Sequence, residues 1–103
     1  MYTLKIEHGV RNFEAWKAAF ERDPAGRAQG GVRCYRVCRS ASDPLYVLVD
    51  LDFETLPQAQ AFLTAMQQIW SRAEVGRIIA PEGATTAAPP RTTIVELVCT
   101  QAY

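Results

Sequence analysis

The chemistry this chain can offer starts from very few side chains. His8 is the only histidine. Its ordinary titration range spans neutral pH, so it is the natural candidate for a base, and it can also serve as an axial ligand. The plainer role is a strand-end histidine hydrogen-bonded near the turn that follows. Trp16 and Trp70 are the largest side chains on two apolar helical stripes. Each either fills the core or forms the wall of an apolar pocket, where an indole stacks on a planar ligand and donates its N–H. Tyr35, Tyr46, Arg36 and Arg72 are the donors available to orient the oxyanion of a phenolic substrate. The ligand-binding candidates are therefore Trp70, Arg72, Trp16, Tyr46, His8 and Arg36. Trp70 and Arg72 lie within about one turn, which places the expected pocket mouth there. An anionic aromatic ligand would stack on the indole while its charge meets the guanidinium.

Other chemistries find too few parts. Asp50 and Asp52 flank Leu51 and point the same way, as paired carboxylates that split acid and base roles do. A polar strand end leading into a capped helix accounts for them more simply. One histidine and a lone Cys-x-x-x-Cys do not make a tetrahedral ligand set, so no metal is expected. Gly30-Gly31 lacks the helix that a phosphate loop requires.

These residues must be positioned by six elements. Tyr2 to His8 alternates with period two: Tyr2, Leu4, Ile6 and His8 share one face. Asn12 caps a helix over about Phe13 to Arg22, with Phe13, Trp16, Ala19 and Phe20 on one stripe. Pro24 and Gly26 end it. A second strand runs from about Val32 to Arg39. A Ser, Asp and Pro-rich turn, Ser40 to Pro44, leads to a third over Leu45 to Leu51. Thr55 and Gln58 have capping-box spacing and open a second helix, with Ala59, Phe62, Leu63, Met66, Ile69 and Trp70 inward. A short helical stretch over about Ser71 to Ile79 is expected to continue or kink it, then an irregular loop over Pro81 to Pro90. Thr92 to Cys99 is β-branched and apolar on both faces, as a well-covered strand is.

Strand, helix, strand, strand, helix, strand predicts one α+β domain over residues 1–103: a ferredoxin-like β-α-β-β-α-β sandwich. Its four-stranded antiparallel sheet carries both helices on one face. The other face is left open. It is expected to hold Lys5, Glu7 and Asp50 beside Tyr35, Val37, Leu48 and Ile94 or Val98. That mixture is too apolar for water and predicts a homodimer in which two sheets close a barrel.

The composition excludes several classes. Half of the 103 residues are apolar, which excludes disorder. Eleven basic residues balance eleven acidic ones, so no nucleic-acid footprint exists. Arg33, Arg36 and Arg39 alternate with less polar residues and fit a strand with one wet edge. No basic and apolar leader and no run of ~20 apolar residues occurs, which predicts a cytoplasmic protein off the membrane. The three cysteines, Cys34, Cys38 and Cys99, are odd in number, and the first two share a strand too far apart to bridge. All three are expected as buried free thiols.

The segments YTLKIEHGVRNFEAWKAAF, VRCYRVCRSASDPLYVLVDLDF and TLPQAQAFLTAMQQIW resemble the dimeric α+β barrel superfamily, and within it the antibiotic-biosynthesis-monooxygenase-like proteins. The resemblance covers most of the chain. It implies a dimeric barrel, a pocket between helices and sheet, and oxygenation of an aromatic or polyketide-like substrate with no cofactor. Haem-degrading relatives carry an Asn-Trp-His set. Ser71 to Pro81 holds no histidine, which sets that activity aside. Two readings stand: a cofactor-free monooxygenase-like enzyme, and a non-catalytic ligand-binding or interaction module.

Overall fold

The computed structural model describes residues 1–23, 25–71 and 90–103. Its elements are β1 (Tyr2–Gly9), α1 (Phe13–Glu21), β2 (Cys34–Arg39), β3 (Tyr46–Phe53), α2 (Leu56–Trp70) and β4 (Arg91–Glu96). The strands form one sheet in the order β2-β3-β1-β4, with every neighbouring pair antiparallel. This is the ferredoxin-like α+β arrangement that the sequence predicts. The expected stretches over 72–79 and 81–89, and Pro24 as a helix stop, lie outside the described residues.

Local chemistry sets the helix ends. The Asn12 side chain accepts from the Ala15 N–H at 3.0 Å and caps α1. Thr55 and Gln58 form the reciprocal capping box of α2, each bond 3.3 Å long. Pro57 sits in the first turn, where its missing N–H costs nothing.

The alternation of β1 and β3 builds the core. Leu4 and Ile6 meet Val47, Val49, Leu51 and Phe53 on one face, and Trp16, Ala59 and Phe62 cover them. Both helices therefore lie over the same side. Between α1 and β2, the loop of residues 25–33 is pressed onto α2. A Cβ on Gly30 would stand 2.5 Å from Cδ1 of Phe62, so only glycine fits there. Arg27 braces the same loop, donating to the Phe20 carbonyl at 2.8 Å and lying 3.6 Å from Asp23.

Four expectations are corrected. Tyr35 and Val37 pair with Leu51 and Val49, which puts them on the helix side of β2, and Ile94 faces the core opposite Leu4. The open face receives Cys34, Arg36 and Cys38 from β2 instead. Val98 is not on the sheet; it lies past β4, 89% exposed. The thiols of Cys34, Cys38 and Cys99 are free but exposed, because two sit on the open side of an edge strand and the third beyond β4. β4 is likewise an edge strand with much of its surface exposed, not a covered one. It stops at Glu96 because β1 pairs with it only as far as Tyr2, with one further bond from Leu97 N–H to the Met1 carbonyl at 2.9 Å. No helix among the described residues is long and apolar enough to cross a membrane.

Candidate functional site

The sheet separates the candidate residues onto two sides. On the helix side, the end of β1 brings His8 beneath α1. The imidazole is 7% exposed and meets the edge of the Trp16 indole, with ring centres 5.8 Å apart. Phe13 stands 5.9 Å from the same indole, and Phe20 stacks on it at 5.3 Å. Tyr35 of β2 continues the row edge-on to Phe20 at 5.2 Å. A cation closes each end. The Arg39 guanidinium lies 4.3 Å over Phe13, and that of Arg27 lies 4.1 Å over Phe20 and 4.9 Å from the centre of Tyr35. Such cation–ring contacts are electrostatic attractions to the ring face. Trp70, at the end of α2, is half-buried against the same core. Arg72 lies outside the described residues.

The His8 ring is held in a defined state. Nδ1 is 3.1 Å from the Gly9 carbonyl oxygen, which can only accept, so Nδ1 carries the proton. Nε2 is then a bare acceptor, with no hydrogen-bond partner among the described residues. Burial pushes the imidazole below its ordinary pKa of 6.5, and the bond to Gly9 only partly opposes this. At neutral pH the ring is uncharged.

Tyr46 and Arg36 stand on the opposite, open face. The Tyr46 hydroxyl donates to the Glu7 carboxylate at 2.8 Å, and that bond holds the phenol above its ordinary pKa of 10.0. Arg36 reaches Asp52 at 3.2 Å and Asp50 at 3.3 Å, while Lys5 reaches Asp50 at 3.0 Å. Thr3 donates to Asp52 at 2.7 Å. Partial burial raises the Asp52 carboxyl, but Thr3, Arg36 and Lys5 together hold it below its ordinary 3.8. These charges neutralise one another across β1, β3 and β2. The arrangement is a bracing network, and the structure does not bring it near His8.

Sequence reasoning named His8, Trp16 and Trp70 on the helix side. It missed Phe13, Phe20, Arg27 and Arg39 as walls of the same corner. One signal was available: the stripe of α1 is aromatic where an ordinary core helix would be aliphatic. Among the described residues, no group of three or more His, Cys, Asp or Glu side chains is placed to hold a metal ion.

No protein-family model matches the chain, and no curated protein does. Solved structures do. The putative antibiotic biosynthesis monooxygenases of Nitrosomonas europaea and Bordetella bronchiseptica superpose with TM-scores of 0.67 and 0.66, at 20% and 18% identity. The first match covers 96% of this chain and 100% of the other, the second 95% and 97%. A similarly described protein of Chloroflexus aurantiacus matches at 0.62 and 15% identity over 98% and 96% of the two chains. This chain shares their fold. At such identities the likeness extends to the fold alone.

Proposed function

We propose that this protein binds small aromatic or polyketide-like molecules at the His8–Trp16 corner and oxygenates them without a cofactor. The observation that carries the reading is the pairing of a buried, uncharged imidazole with a row of aromatic rings. It joins a surface for a planar molecule to an acceptor for a proton. The fold shared with proteins described as monooxygenases supports the choice of reaction by analogy. The balance needs no external reductant. An activated ring methylene loses a proton, and the carbanion supplies electrons to O2. One oxygen atom becomes the ring carbonyl and the other leaves as water. Aerobic incubation with hydroxyanthrones should consume one O2 per carbonyl formed. Saturable binding with no O2 uptake would leave a binding module in place of the enzyme.

The same reading includes a homodimer formed through the open sheet face. Cys34, Cys38, Leu48 and Val95 give that face apolar ground, and its charges are already paired within the plane. Leu97, Val98 and Tyr103 extend past β4 with 52%, 89% and 114% exposure, as an arm laid on a second copy would. The interface should reach the ~1,200–2,000 Å² of a stable complex. Light scattering should give twice the chain mass at micromolar concentration; a monomer mass would refute the dimer.

A further inference from the structure

The site reading leaves open which form of a ligand the corner accepts. His8 limits the answer. Its Nδ1–H is committed to the Gly9 carbonyl at 3.1 Å, so the ring offers a ligand only the lone pair of Nε2. Among the described residues, no buried side-chain nitrogen or oxygen lacks a partner. Nε2 has none among them, so it keeps some contact with solvent. The ring is more than nine-tenths buried, with the Trp16 edge against it.

We infer that Nε2 of His8 selects a neutral phenolic or enolic hydroxyl by accepting its hydrogen bond, and rejects ligands that arrive as anions. The inference rests on the proposed ligand site and deepens it. A carboxylate or phenolate oxygen has no proton to give, and its lone pairs would face that of Nε2. A hydroxyl fits both the acceptor and the ring row.

The surroundings keep the acceptor uncharged. α1 presents Trp16 to the ring. On β3 the residue opposite His8 is Val47, and next to it on β2 is Arg39, a cation that disfavours a second one. Glu7 and Arg91 lie on the open face, 3.9 Å apart. Among the described residues, no carboxylate from α1, β2, β3 or β4 faces His8.

Because His8 is the only histidine, its ring nitrogens can be read in the intact chain without assignment. Long-range 15N–1H spectra should show Nδ1 protonated and Nε2 bare. Addition of 2-naphthol should move the Nε2 signal saturably towards the protonated range, and 2-naphthoate should leave it in place. Naphthol affinity should fall about tenfold once the imidazole is protonated. His8→Gln, which keeps an acceptor oxygen, should retain binding within a few-fold, while His8→Leu should lose about tenfold. Should His8→Leu fail to fold, the wild-type spectra decide. Naphthoate binding as tight as naphthol, or naphthol binding that leaves Nε2 unmoved, overturns this inference and spares the ligand site. No saturable change with either compound overturns both.

Discussion

His8 links stability to pH. Its pKa lies below 6.5 in the folded chain and near 6.5 in the unfolded one. Below about pH 6.5 the unfolded state therefore binds more protons, and stability falls as pH drops towards the folded pKa. Above that window the contribution is fully present. Urea midpoints of the wild type should decline as pH falls below about 6.5, and His8→Gln should flatten that slope. An equal slope in both proteins would place the effect elsewhere. Gly30 makes a separate prediction. Its Cβ would enter the Phe62 ring, itself only 4% exposed, so Gly30→Ala overpacks the core. A loss of ~1–3 kcal/mol is expected in urea unfolding, where an ordinary loop Gly→Ala would be neutral or stabilising.

At the scale of elements, the capping box of α2 is the feature most exposed to a clean test. Thr55→Ala removes a bond to an orphan helix N–H and should cost ~1 kcal/mol, read as a lower thermal midpoint with unchanged secondary structure at room temperature. Both this box and the Asn12 cap were legible in the sequence because their signals are local. So were the faces of β1 and β3, where apolar and polar residues alternate without exception from Leu4 to Glu7. β2 was not. In Cys34–Arg39 both faces carry moderately apolar residues, and an edge strand imposes no strict pattern, so Tyr35 and Val37 were put on the wrong side. The same ambiguity hid the exposure of Cys34 and Cys38. Residues 97–99 continue the apolar composition of β4, but beyond the one bond from Leu97 to Met1 no neighbouring strand among the described residues pairs with them. The His8 corner was half legible: Trp16 and His8 were named, but the contacts of Phe20 with Tyr35 and Arg27 join an element, a loop and a strand distant in sequence.

For the whole molecule, strand order decides which parts can move alone. β3 and β1 are each bonded on both sides, whereas among the described residues β2 is held by β3 only. An edge strand can open while the middle of the sheet stays closed. Amides of Val47 to Leu51 should therefore exchange with deuterium through global unfolding. Those of β2 that face β3 should exchange faster, through a local opening of lower free energy. Equal rates across the two strands would contradict this. β2 carries Tyr35 and Arg39, which close one wall of the aromatic row, while His8 sits on a strand bonded on both sides. Breathing of β2 would thus widen the way in without disturbing the proton acceptor. Under the proposed function, the topology gives the corner a side that can open and a fixed side, and admission of a bulky planar molecule would depend on how often the sheet's edge lifts.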